Sequence, residues 1–145
     1  MIKALLDTNI LVSGFASFKH PERPPSKILH AFRDGLFELV ISEDILEEFQ
    51  ETLQDPYFKI RLSSEEISEV ITLLSEETTV TPITIGVHGV ATHPEDDLIL
   101  AAAVSAKVNY LVTGDGPLLR KVGSSYQGVK LVTPNDFLKA LEQQG

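Results

Sequence analysis

Ile2-Lys3-Ala4-Leu5-Leu6-Asp7-Thr8-Asn9 sets the reading of the whole chain. Its first five residues form the short, mostly apolar run that a buried strand requires, and the run stops on a carboxylate followed by two polar residues. This predicts a strand, then a polar loop, with Asp7 at the strand's carboxyl end. A charge beside a buried strand is costly unless it meets a cation or hydrogen-bond donors. Asp7 therefore either closes an Asx turn onto Thr8 or Asn9 or takes part in a site.

Outward from that stretch, the same pattern recurs. Phe37 to Ile41, Tyr110-Leu111-Val112-Thr113 and Val129 to Val132 are further short apolar runs. Helical spacing separates them. Ser26 can cap a helix that carries Ile28, Leu29 and Phe32 on one face and stops at Gly35. Ser42, Glu43 and Asp44 open a second, with Ile45, Phe49 and Leu53 four residues apart. Ser63 and Glu66 form a capping-box signal ahead of Ile67, Val70, Ile71 and Leu74. A β-rich Thr79 to Ile85 segment leads into a loop marked by Gly86 and Gly89. Pro94 suits the first turn of a helix running to about Lys107, and Thr133 with Pro134 opens a last one. Alternation of this kind predicts a single α/β domain over residues 1–145, with a central, mostly parallel sheet covered on both faces. The functional crevice of such a sheet lies beyond its strand carboxyl ends, where Asp7 and the Asp115 of Gly114-Asp115-Gly116 both fall.

Composition narrows the chemistry. With 145 residues and 43% apolar side chains, one core is expected. The absence of cysteine excludes disulfides and thiolate sites and suits a reducing cytoplasm. The chain starts without a leader pattern or an apolar stretch of about 18 residues, so neither secretion nor membrane insertion is expected. A net charge of −9 argues against holding nucleic acid by bulk electrostatics, which needs Lys and Arg against phosphate. Carboxylates that cluster around a divalent cation reverse the local sign, so the arrangement of the acids decides.

Each acid alone has a plain reading. Glu48 borders the apolar stripe just before Phe49, yet Glu43, Asp44, Glu47 and Glu51 around it read as a solvated face. Asp96 and Asp97 lie in a first helical turn, where the macrodipole favours negative charge by roughly 0.3 to 1 kcal/mol. Asp115 sits in a turn-like Thr-Gly-Asp-Gly, with Thr113 able to orient a carboxylate. Together, two acidic strand ends and the helical acids bring four carboxylates within reach of one point. Hard cations such as Mg²⁺ and Mn²⁺ favour that oxygen-only donor set, which suits phosphodiester hydrolysis. His20, His30, His88 and His93 have no zinc-like spacing. Lys19, Arg23, Lys27, Arg120 and Lys121 can meet RNA phosphates or serve as ordinary surface charges.

At these residues the chain resembles the PIN-domain family, particularly its compact prokaryotic branch of toxins from toxin-antitoxin pairs (VapC-like). Leu5-Leu6-Asp7-Thr8-Asn9 looks like the family's first motif, with Asn9 in support. Ser42 through Leu53 resembles the second and points to Glu48. His93 through Ala103 resembles the third, whose alanine register selects Asp96. Tyr110 through Asp115 is similar to the fourth, giving Asp115 with Thr113. Asp97, beside Asp96, is a supporting residue in this resemblance. Related sequences commonly carry Asp where His93 stands and Asn where Asp97 stands, which touches an outer metal contact and leaves the four acids in place.

The resemblance implies a PIN-like three-layer α/β/α fold and Mg²⁺- or Mn²⁺-dependent cleavage of RNA, in a homodimer under control of a cognate antitoxin. Asp7, Asp96 and Asp115 would be the metal ligands. Glu48 would bind the metal directly or through water, or help deprotonate the nucleophile. Two rivals stand beside it. An aspartyl phosphotransfer domain would want a second Asp where Asn9 stands, or a late phosphate-contacting Lys where Thr-Gly-Asp stands. A non-catalytic PIN module would bind RNA or protein without cutting.

Overall fold

The computed structural model describes residues 1–144. In chain order its elements are β1 (Lys3–Leu6), α1 (Thr8–Ala16), α2 (Pro24–Arg33), β2 (Glu38–Ser42), α3 (Glu43–Thr52), α4 (Pro56–Arg61), α5 (Ser64–Glu77) and β3 (Thr79–Thr81). There follow α6 (Pro94–Ser105), β4 (Tyr110–Val112), α7 (Gly116–Val122), β5 (Ser125–Tyr126), β6 (Val129–Val132) and α8 (Pro134–Gln144).

The strands form one sheet in the order β3-β2-β1-β4-β6-β5, parallel throughout except for the β5–β6 pair. Ala4, Leu5 and Leu6 are consecutive and all buried. Successive strand side chains point to opposite faces, so both faces of β1 must be covered. Helices supply that cover, giving the three-layer α/β/α arrangement expected of the PIN-like fold. Helix α6 packs on β2 and β4, while α8 packs on β4, β6 and α2. Phe15 meets Phe49, and Phe37 meets Phe137 edge-on.

The sheet grows leftward from β1 through β2 to β3, and the chain then crosses back to lay β4 on the other side of β1. Connections on the two sides of β1 therefore diverge, which opens a crevice beyond the carboxyl ends of β1 and β4. Register places Leu6 opposite Val112. The ladder runs one step further on each strand, with the Asp7 N–H donating to the Val112 carbonyl and the Thr113 N–H to that of Val132. Asp7 and Thr113 thus leave the sheet side by side.

Several local expectations change. The polar loop expected at Thr8-Asn9 is the first turn of α1, whose Ile10 and Leu11 N–H groups donate to the Asp7 carbonyl. Ile10, Leu11, Gly14 and Phe15 supply its buried stripe. Gly14 hid this stripe because it counts as a breaker, whereas here it permits close approach: a Cβ there would lie 2.9 Å from the Pro25 carbonyl oxygen of α2. Ser26 is buried inside α2 rather than capping it, because the Pro24-Pro25 pair starts the helix earlier. The β-rich segment pairs only over Thr79–Thr81, since Pro82 lacks a donor to continue the ladder. Helices α1, α4 and α7 and the two-residue β5 are additions to the sequence reading. The Ser42 cap and the Ser63–Glu66 capping box form as expected.

Candidate active site

Asp7 is 6% exposed, and its Oδ2 accepts a 2.9 Å hydrogen bond from the Thr113 hydroxyl. Thr113 is fully buried and its Oγ1 also accepts from the Asp115 N–H at 3.0 Å. One hydroxyl therefore ties the end of β1 to the turn after β4. Asp115 caps α7, its Oδ1 accepting from the Leu118 N–H at 3.2 Å. Asp96 stands partly buried in the first turn of α6.

Electrostatics link these three acids. Burial pushes the Asp7 carboxyl above its ordinary value; the Thr113 hydrogen bond and the Thr8 and Asn9 backbone N–H groups oppose this, and Asp115 adds to the rise. The Thr8 and Asn9 groups face the carboxylate without closing a capping hydrogen bond. Burial also raises Asp96, helped by the charges of Asp115, Asp7 and Glu95 and opposed by His93. Among the described residues no Lys, Arg or His forms an ion pair with Asp7, Asp96 or Asp115. The result is a patch of like charge at the mouth of the crevice that, among the described residues, no direct ion pair neutralises.

Such a patch fits a hard divalent cation in its donor chemistry, since every donor is oxygen and a cation would offset the mutual repulsion. As the side chains stand, no three His, Asp or Glu among the described residues converge closely enough to hold an ion. Glu48 is exposed on α3, with its carboxylate in no hydrogen bond or ion pair among the described residues, and it is not among the main influences on Asp7 or Asp96. The Asn9 side chain is exposed at the start of α1.

Asp97 points elsewhere. It is buried, and its carboxylate accepts from the backbone N–H groups of Gly89, Val90 and Ala91 at 3.0, 3.2 and 2.7 Å. Those bonds, the Ala91 one foremost, hold its pKa below the ordinary value, with His88 adding to the effect. Asp97 is a clamp that fixes the loop before α6, and so the start of the helix bearing Asp96. Sequence shows the loop glycines but not their partner, because the acceptor lies on the following helix. Asp97→Ala is expected to lower the melting temperature by several degrees. A carboxylate whose folded pKa is depressed adds stability above its unfolded pKa and loses it as pH falls through the folded value. Melts from about pH 7 to about pH 3 should therefore show a shallower acid decline in the variant than in the native chain; identical curves would remove the clamp.

A family model described as PIN domain matches residues 3–116, from β1 to the first residue of α7. That stretch contains Asp7, Glu48, Asp96, Thr113 and Asp115. No curated protein matches the chain. PIN domains are in general nucleases and typically use divalent metals. Most of the chain falls within the match, and the topology that sets Asp7 beside Thr113 is that of a mostly parallel sheet flanked by helices: the chain belongs to the PIN-domain family.

Proposed function

We propose that this chain is a Mg²⁺- or Mn²⁺-dependent endoribonuclease acting in the cytoplasm, the toxin partner of a toxin-antitoxin pair. The observation that carries the nuclease reading is the group of Asp7, Asp96 and Asp115, none of them in an ion pair among the described residues, beyond the β1 and β4 ends, where a parallel sheet opens its crevice.

In this reading Asp7, Asp96 and Asp115 hold the cation. A bound divalent ion supplies Lewis-acid charge beside the scissile phosphate and the attacking water. Thr113 keeps one Asp7 oxygen fixed, which leaves the other to turn toward the crevice. Asp97 holds the loop that precedes Asp96. Glu48, on the helix following the neighbouring strand β2, is assigned to accept a proton from the attacking water. Control by an antitoxin and assembly as a homodimer belong to the same proposal. Among the described residues no helix is long and apolar enough to cross a membrane.

A mixed set of structured and unstructured RNAs, incubated with Mg²⁺, Mn²⁺ or chelator, tests the activity. Cleavage is expected with either metal, absent with chelator and lost in Asp96→Asn. RNA binding without cleavage under every condition would instead favour a non-catalytic PIN module, a reading that the unconverged carboxylates keep in play.

A further inference from the structure

We propose that a basic cleft at the far end of α1 seats the phosphodiester backbone of the RNA strand that enters the acid site. The ligand's identity rests on the ribonuclease reading; the cleft itself is read from its own residues. It has a volume of about 520 Å³ and is lined by Lys19, His20, Arg23 and Arg61 together with Tyr57 and Ser13. Among the described residues no Asp or Glu lines it, although the chain carries 21 acids against 12 Lys and Arg. Three of those 12 basic residues meet here, and two of them have no ion-pair partner among the described residues.

Two of the cations are open to a ligand. Lys19 is engaged by Glu66 at 3.4 Å, and His20 lies 3.7 Å from Glu22. Arg23, at the N-cap of α2, has no ion-pair partner among the described residues. Arg61 has none either, and its guanidinium carbon lies 3.6 Å from the Tyr57 ring centroid while Nη1 donates to the Tyr57 carbonyl. That stacking holds a planar cation, with donors to spare, over an aromatic face at the surface. Arginine and aromatic groups of this kind are the usual means of tracking a single-stranded backbone without reading sequence.

Geometry joins the cleft to the carboxylates. Asn9 and Ser13 are exposed four residues apart on α1, hence on one face of it. Asn9 follows Asp7 at the acid site and Ser13 borders the cleft. Eight residues of helical rise, from Asp7 to Phe15, separate the two by roughly 12 Å along the axis. A strand lying on that polar face has one phosphate at the acids and another, further along the chain than the adjacent one, at the arginines.

Fluorescence anisotropy of a labelled single-stranded RNA in chelator tests this binding without cleavage. The Arg23→Gln/Arg61→Gln variant is expected to bind roughly tenfold more weakly than the native chain, with the slope of log K against log salt reduced by about 1 to 1.5. Lys130→Gln/Lys139→Gln removes the same charge from other exposed positions and should leave the slope near native. Equal losses in both pairs would reduce the effect to net charge and overturn the proposal, as would a native chain that binds no RNA at low salt. Cleavage kinetics separate the two readings. A native chain that cuts RNA, with an arginine pair variant of unchanged KM, sinks the cleft and leaves the nuclease. RNA binding lost with the arginines in a chain that never cuts supports the cleft and sinks the nuclease.

Discussion

Asp7→Asn is expected to lower metal-dependent RNA cleavage by roughly 10²-fold or more and, in chelator, to raise the melting temperature by roughly 2–6 °C. The two effects have one cause. Burial and the nearby Asp115 raise the Asp7 pKa in the folded protein. The folded state therefore binds this proton more tightly than the unfolded state does. Stability from Asp7 is fully present below the unfolded carboxylate value and is lost as pH rises through the folded one, so at neutral pH the ionised side chain is a net cost. Asparagine has nearly the same shape, keeps an oxygen for the Thr113 hydroxyl and carries no charge. Its stabilising effect should be largest near neutral pH and should fade at acid pH, where native Asp7 is itself protonated. Adding Mg²⁺ should raise the native melting temperature and move that of the variant much less, because a ligand stabilises only the state that binds it. A variant that melts lower than native in chelator, or that cuts RNA at the native rate, would contradict this account of Asp7.

The alternation of strands and helices was legible because it depends on short-range patterns that a buried parallel sheet imposes. The capping box at Ser63 and Glu66 and the strand ends at Asp7 and Asp115 are of this kind. The elements absent from the sequence reading each lack such a pattern. Helix α1 hides its stripe behind Asn9, Ser13 and Gly14, and is held by packing against α2 and α3. Helices α4 and α7 have six and seven residues, too short for periodicity to register. Among the acids, the places of Asp7, Asp96 and Asp115 in the fold were legible because strand ends and a helix start fix them. Residue pattern alone did not divide Asp96 from Asp97, and the resemblance that preferred Asp96 gave no hint that Asp97 clamps the loop, since adjacent helical residues point about 100° apart and only tertiary context shows which faces it. Glu48 is the least constrained: it is exposed on α3, and among the described residues nothing fixes its carboxylate.

Thr113→Val should carry the second large effect. Valine matches threonine in shape, so the fully buried position is filled without a cavity. The loss is the hydroxyl, which donates to Asp7 and accepts from the Asp115 N–H. Both partners are then left at the crevice wall without it, and unsatisfied polar groups in such places cost about 1–3 kcal/mol. A destabilisation of about 2 kcal/mol corresponds to a fall in melting temperature of roughly 4–8 °C for a chain of this size. The effect on activity has a direction of its own. The Thr113 hydrogen bond is the largest influence lowering the Asp7 pKa, so its removal leaves burial and Asp115 less opposed and raises that pKa further. If cleavage requires ionised Asp7, the acid limb of the pH–rate profile moves to higher pH in the valine variant. Thr113→Ser retains the hydroxyl and loses only a methyl group. It should keep the native pH profile while losing about 1 kcal/mol or less of stability. Purely structural damage would lower the rate across the whole pH range in both variants; a shifted acid limb in valine alone identifies the hydroxyl as the group that holds the Asp7 charge.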